Sequence, residues 1–169
     1  MKKPNPFAIF GLTPRLDLDE AQLERTYLQL SKDCHPDRVR GASRADCVAV
    51  LQRAASINDA FAVLRDRWAR ARAFLELAEP GVLDRTKALD PAFLMDALEQ
   101  AEQVANAEDS ALPDLKERIA KAVDASFQSV VDAVRAGDVE AAAVRFHEAH
   151  YHRKALADLD ARLEPELSR

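Results

Sequence analysis

The chain has 169 residues, a length that suits one compact domain or two small ones. Its residues are 48% hydrophobic and 31% charged, with four glycines and 6% aromatics, which favours amphipathic helices over sheets. The formal net charge of -5 argues against nucleic acid as the main partner, because phosphate backbones are bound by clustered lysine and arginine.

The start of the chain predicts neither a secretion signal nor a membrane segment. Residues 1–6 are followed by too few apolar residues for a signal-peptide core of about 7 to 15 residues or a spanning helix of about 20. Cys34 and Cys47 are too few for a disulfide framework or a four-cysteine metal site, so each is expected to act as a small hydrophobe. We therefore expect a cytoplasmic protein with no membrane partner, no metal and no cofactor.

Capping signals predict the first two helices. Asn5 suits the N-cap of a short helix that begins at Pro6, and Asp19 with Gln22 forms a capping-box pattern for a second helix. The second helix has an apolar stripe made of Leu23, Tyr27, Leu30 and Cys34. Its opposite, solvent-facing side carries Arg25, Gln29 and Lys32.

A loop and a third helix follow. Pro36 disfavours the α conformation at His35, so His35-Pro36-Asp37 is predicted in an exposed loop at the end of the second helix. Ser43 and Asp46 predict a capping box for the third helix. The stripe of this helix consists of Val50, Ala54, Ile57, Phe61 and Leu64. Two such helices are expected to pack as an antiparallel hairpin.

The remainder of the chain predicts a second helical domain. A short fourth helix is expected from Arg65 to Leu77, and Pro80-Gly81 then interrupts the helical pattern. Three longer helices are expected over 91–107, 113–136 and 138–163, which implies an antiparallel bundle. The predicted fold is all-α, with a hairpin domain over 1–78, a connection over 79–90 and a three-helix bundle over 91–169.

The helices on either side of His35-Pro36-Asp37 indicate that this tripeptide is more than an ordinary turn. A Pro-Asp pair after a helix is ordinary turn chemistry, but here it stands between two apolar-striped helices, the first with a basic outer face. The first 78 residues resemble a J-domain, and the order of segments over nearly the whole chain is similar to that of HscB-type co-chaperones of bacterial iron-sulfur cluster assembly. The resembling segments are Phe10-Gly11-Leu12, His35-Pro36-Asp37-Arg38, residues 57–65 and Phe93-Leu94-Met95.

The resemblance implies a chaperone-binding site in the first domain. His35, Pro36 and Asp37 would engage an HscA-type or DnaK-type chaperone and trigger its ATP hydrolysis. Arg25, Lys32 and Arg38 would add the electrostatic part of the contact. Many J-domains have an aromatic residue where this chain has Cys34.

The resemblance also implies a second binding site. On a helical projection the core side of the predicted helix over 91–107 consists of Leu94, Leu98, Ala101 and Ala105, with Met95 beside acidic residues. By similarity to the family, the face that holds an IscU-type scaffold protein consists of Leu94, Met95, Leu98, Glu99 and Glu102. Tyr151, which projects away from the predicted stripe Ala142, Phe146, Ala149, Leu156 and Leu163, would join this face.

Other functions are weaker predictions. The chain has no phosphate-binding glycine loop and no nucleophile elbow, so we expect it to activate a partner's ATPase rather than to be an enzyme. A general J-protein that delivers unfolded clients to a DnaK-type chaperone is the main alternative. His147, His150 and His152 suggest a metal, but no cysteine completes a site and Arg153 and Lys154 disfavour a cation.

Overall fold

The computed structural model describes residues 4–34 and 43–163, and these residues form helices and no strand. The helices are α1 (Pro6–Ile9), α2 (Glu20–Asp33), α3 (Arg44–Arg65), α4 (Arg67–Ala78), α5 (Val82–Arg85), α6 (Pro91–Asn106), α7 (Leu112–Arg135) and α8 (Val139–Leu163). A 3₁₀ turn, Asp109–Ala111, precedes α7. The predicted all-α fold is confirmed.

Side-chain caps begin the first three helices where the sequence predicts them. The Asn5 carboxamide oxygen accepts a hydrogen bond of 3.0 Å from the backbone N–H of Phe7. The Asp19 carboxylate accepts one of 3.0 Å from the N–H of Gln22. Ser43 and Asp46 form a reciprocal capping box at α3. Each cap satisfies backbone donors that a helix start otherwise leaves without partners.

The first compact unit, Met1–Leu77, has α1 and α2 packed against α3. Its core residues are Phe7, Phe10, Leu23, Cys34, Ile57, Ala60 and Leu64. The Tyr27 ring stacks on Phe61 at 4.1 Å between centroids, and its hydroxyl donates to Asn58 Oδ1 at 3.1 Å. The predicted stripes of α2 and α3 therefore face each other, as a helical hairpin requires.

A buried arginine stabilises the junction of α3 and α4. Asp66 caps α4 by accepting from the N–H of Ala69 at 2.6 Å, and Arg70 Nη1 donates to the Leu64 carbonyl at 2.5 Å. Arg70 is 5% exposed, and this burial lowers the pKa of its guanidinium, while the nearby Glu20 carboxylate acts in the opposite direction. The guanidinium thus reaches a carbonyl at the end of α3 that has no partner within the helix.

Among the described residues, α3 is the helix long and apolar enough to cross a membrane by length and composition. This is weak evidence, because core helices of globular proteins pass the same criterion. Ile57, Ala60 and Leu64 of α3 belong to the core of the first unit. The absence of a membrane partner stays a prediction.

The second compact unit, Ala78–Arg169, is built on α6, α7 and α8. Phe93 near the start of α6 contacts Tyr151, and Val104 near its end contacts Arg162, so α6 and α8 run parallel. An ion pair of 2.6 Å joins Lys116 at the start of α7 to Asp160 at the end of α8, so α7 runs antiparallel to both. The predicted three-helix bundle is confirmed.

The segment 79–90, which the sequence predicts as a connection between the domains, lies within the second unit. It includes α5, which contacts α8. Val82 and Leu83 are buried, and the Leu83 carbonyl lies 2.8 Å from Nε2 of His147. The buried Val82 and Leu83, the hydrogen bond between the Leu83 carbonyl and the His147 side chain, and an ion pair of 3.3 Å between Arg85 and Glu140 attach this segment to the bundle.

We expect Arg162 to stabilise the second unit. Its guanidinium donates to the carbonyls of Val104 and Ala105 and, at 2.8 Å, to that of Ala107, all at the end of α6. Arg162→Met should lower the free energy of unfolding by about 1 to 3 kcal/mol, because carbonyls at a helix end lose charged donors. Urea denaturation followed by circular dichroism measures the change.

Arg135→Met is the matched control, since Arg135 is exposed and pairs with Asp132 at 3.6 Å. This substitution should change the free energy of unfolding by less than about 0.5 kcal/mol. Equal effects of the two substitutions would show that Arg162 does not hold the end of α6.

Candidate functional site

The predicted chaperone-binding tripeptide and Arg38 lie outside the described residues. The structure describes the chain on either side: α2 ends at Asp33, and α3 begins at Arg44. Cys34, which precedes His35, is 5% exposed and belongs to the core of the first unit. The position that carries an aromatic residue in many J-domains is thus occupied by a smaller buried side chain.

Two predicted chaperone contacts lie on the outer face of α2. Arg25 and Lys32 are exposed, as expected, and their spacing of seven residues places them on the same side of the helix. Leu28, between them, is 52% exposed. Leu28 is not among the site residues predicted from the sequence, although its apolar side chain outside the buried stripe of α2 is a signal for it. The face is therefore apolar at its centre and basic at both ends.

The buried side of α6 differs from the one predicted. The structure buries Ala97 and Val104 and half-buries Phe93 and Gln100, a set with helical spacings of four, three and four. The predicted core residues Leu94, Leu98, Ala101 and Ala105 are exposed instead. The prediction was wrong by one residue in phase, because α8 packs against a stripe that contains a small alanine and a polar glutamine.

Because α6 buries the side that contains Ala97 and Val104, an apolar surface on another side of the helix is exposed. This surface, the α6 patch, consists of Leu94, Met95 and Leu98. Their exposed fractions are 37%, 58% and 54%. Glu99 and Glu102 are exposed next to the patch, and Asp96 adds a third carboxylate. Residues 91–106 contain no lysine or arginine, so the patch lies in a wholly acidic setting on its own helix. Exposed apolar groups of this kind mark protein-binding surfaces.

Tyr151 of α8 lies beside this helix. Its ring meets Phe93 edge-on, with centroids 5.7 Å apart and planes at 81°. Tyr151 is 38% exposed, which agrees with its predicted position outside the stripe of α8. Within that stripe the prediction is right for Ala142, Phe146 and Ala149, whereas Leu156 and Leu163 are half-buried and Ala155 and Leu159 are buried in their place. Phe93 thus joins Tyr151 to the helix that carries the α6 patch.

The histidines of α8 make structural contacts. His152 Nδ1 donates to Gln100 Oε1 at 2.9 Å, and His147 Nε2 lies 2.8 Å from the Leu83 carbonyl. Within residues 4–34 and 43–163, no cluster of three histidine, cysteine or acidic side chains is arranged to hold a metal ion.

We expect His152 to make the second unit less stable in acid. Burial lowers the pKa of His152 below the ordinary value of about 6.5, and Glu148 opposes this shift. The unfolded chain therefore binds this proton at a higher pH than the native chain does. The free energy of unfolding should fall as the pH drops through about 6.5 toward the native pKa, and it should be unaffected by this group above that range.

Urea denaturation at about pH 7.5 and about pH 5.5 tests this. Wild type should lose more stability on acidification than His152→Gln, in which the glutamine cannot take up the proton. An equal loss in the two proteins would contradict the prediction.

Comparisons with known proteins agree with this architecture. The family model of the HSCB C-terminal oligomerisation domain matches residues 89–160. The co-chaperone protein HscB homolog of Aeromonas hydrophila is 34% identical over 162 residues, which cover 92% of this chain and 94% of that protein. The homolog from Pseudoalteromonas atlantica is 42% identical over 110 residues, covering 64% of this chain and 63% of that protein.

Solved structures show the same fold. Chaperone HscB from Vibrio cholerae superposes with a TM-score of 0.79 at 28% identity, over 97% of this chain and 99% of that one. Human co-chaperone protein HscB has a TM-score of 0.84 at 21% identity, over 98% of this chain and 85% of that one, which shows the shared fold. The two helical units and these matches define the chain as a co-chaperone, a class that is not itself enzymatic. Within that class it belongs to the HscB family.

Proposed function

We propose that this protein stimulates the ATPase of an HscA-type chaperone and delivers an IscU-type scaffold protein to it in the cytoplasm. Its activity would promote the maturation and transfer of iron-sulfur clusters. The observation that carries the proposal is the exposed α6 patch, in a chain of the HscB family. Carboxylates lie next to the patch on α6, and Tyr151 contacts Phe93 of the same helix.

The chaperone contact is assigned to the first unit. His35, Pro36 and Asp37 signal to the ATPase, with Arg25, Lys32 and Arg38 as electrostatic contacts. Exposed ion pairs contribute about 0.2 to 1 kcal/mol each, so the basic residues mainly raise the association rate and its salt dependence. Leu28 adds apolar area between Arg25 and Lys32 that such a contact would bury.

The scaffold contact is assigned to the second unit. Leu94, Met95 and Leu98 form the apolar centre, with Glu99, Glu102 and Tyr151 around it. Protein interfaces draw most of their binding energy from a few central apolar or aromatic side chains that become desolvated. A surface without cations on its helix favours a partner whose rim is basic. The α6 patch therefore suits one folded partner with an apolar depression and a positive border.

The two proposed binding sites lie on one chain, and this favours the encounter of the two partners. A scaffold bound to the second unit and a chaperone bound to the first unit are linked through a single polypeptide. Their encounter then occurs at an effective concentration set by the linkage and not by the bulk concentration of either protein.

Steady-state ATP hydrolysis by an HscA-type chaperone tests the proposal. The rate is measured with the chaperone alone, with this protein, with an IscU-type scaffold, and with both. Stimulation by both together should exceed the sum of the separate effects. Additive rates would contradict delivery of the scaffold, and no stimulation at all would contradict an HscA-type partner.

The same assay with a DnaK-type chaperone and an unfolded client distinguishes the proposed function from the alternative, a general J-protein. A general J-protein would stimulate DnaK with the unfolded client and would gain nothing from the folded scaffold. The proposed function predicts the opposite preference.

A further inference from the structure

Phe93 connects the exposed surface of α6 to α8. Its side chain is half-buried, so it is neither a residue of the fully buried core nor part of the exposed α6 patch. Its ring stands edge-on to two consecutive residues of α8, Tyr151 at 5.7 Å and His152 at 6.1 Å between centroids. The interplanar angles of 81° and 90° match the arrangement that aromatic rings prefer.

His152 is the inner member of the aromatic cluster formed by Phe93, Tyr151 and His152, and it is held by a hydrogen bond. Its hydrogen bond of 2.9 Å to Gln100 links α8 to α6 one turn beyond Ala97, on the same buried side as Phe93. Phe93 and Gln100 thus fix the His152 ring from two points on α6. Tyr151, on the solvent side, has ring contacts with Phe93 and with His150. Of these two neighbours, Phe93 is the one on α6.

We propose that Phe93 is a positioning residue, which orders the Tyr151 ring beside the α6 patch before the scaffold protein binds. This inference rests on the proposed function and extends it, because the scaffold-binding surface then spans two helices. An exposed tyrosine that is already ordered loses less side-chain entropy on binding than a free one. Phe93 therefore contributes to affinity through Tyr151, without being one of the exposed contact residues.

Fluorine NMR of the full chain, labelled with fluorotyrosine, tests the ordering directly. The chain has two tyrosines, so two signals are expected, and Tyr27 in the first unit serves as the internal reference. In Phe93→Leu the Tyr151 signal should move toward the position of the free amino acid and become narrower, while the Tyr27 signal stays. Phe93→Trp keeps an aromatic ring at this position without adding a labelled tyrosine, and it should preserve the wild-type Tyr151 signal.

Val104→Ala is the matched control, because Val104 is 3% exposed on the same helix but far along it from Phe93. It loosens the packing of α6 and should leave the Tyr151 signal unchanged. If Val104→Ala shifts the signal as much as Phe93→Leu does, or if Phe93→Leu does not shift it, the positioning role is overturned.

Isothermal titration with an IscU-type scaffold provides the second measurement. Phe93→Leu should weaken binding roughly two- to tenfold, the range of one edge-to-face aromatic pair. Adding it to Tyr151→Ala should cause no further loss, because Phe93 acts through Tyr151. Full additivity would overturn the inference. If wild type does not bind the scaffold although the fluorine signal moves, the proposed function fails and the positioning of Tyr151 by Phe93 stands.

Discussion

Replacing His35 with Gln should return the chaperone's ATPase to its unstimulated rate, while the affinity for the scaffold protein stays that of wild type. Glutamine retains a polar side chain but lacks the imidazole ring and its two nitrogens. The resemblance to J-domains assigns the signal to this residue with Pro36 and Asp37. The scaffold surface is assigned to α6 and α8 of the other unit, so the two activities should separate.

The measurement is steady-state ATP hydrolysis by an HscA-type chaperone, together with calorimetric titration of the scaffold. Thermal unfolding by circular dichroism provides the check that the first unit stays folded. If His35→Gln stimulated the ATPase as wild type does, the tripeptide would be an ordinary turn. If it weakened scaffold binding as much as stimulation, the assignment of one activity to each unit would be wrong.

The second large effect is expected from Leu98→Ala and Met95→Ala, which should each weaken scaffold binding about tenfold or more. Central apolar contacts cost about 1 to 2 kcal/mol or more when truncated, and tenfold corresponds to about 1.4 kcal/mol. Because Met95 and Leu98 are 58% and 54% exposed in the free protein, their truncation should barely change the free energy of unfolding. The loss of affinity would then report on the interface.

Leu51→Ala is the matched control, since Leu51 is 60% exposed on α3 of the first unit. It removes the same atoms from an exposed leucine and should leave scaffold affinity unchanged. Stimulation of the chaperone ATPase in the absence of scaffold should survive Leu98→Ala. Wild-type affinity in both Leu98→Ala and Met95→Ala would show that the scaffold binds elsewhere.

The helix starts could be predicted from sequence because their signals are local. Asn5, Asp19 and Ser43 each lie within three residues of the backbone donors that they satisfy. The stripes of α2 and α3 were equally clear, since apolar residues recur at helical spacing in both helices. Tyr27 and Phe61, whose rings stack at 4.1 Å, belong to these two stripes.

Segment 79–90 shows a weaker local signal. Pro80-Gly81 correctly indicates a break, and Gly81 adopts a φ of 80°, a left-handed conformation that favours glycine. The break does not reveal that Val82 and Leu83 are buried or that the Leu83 carbonyl lies near His147. Leu83 and His147 are more than fifty residues apart in the chain, so no local sequence pattern predicts that they meet.

The sequence by itself determined the order of the helices, their caps, the helical hairpin and the resemblance that assigns His35-Pro36-Asp37 and the α6 residues to binding. Only the tertiary structure decided which side of α6 faces solvent. Apolar residues cover two adjoining sides of that helix. Successive residues of a helix are rotated by 100° about its axis, so an error of one residue in the predicted buried side assigns the wrong residues to solvent. The choice between the sides was made by α8, which packs on Phe93, Ala97 and Val104 and so leaves Leu94, Met95 and Leu98 exposed.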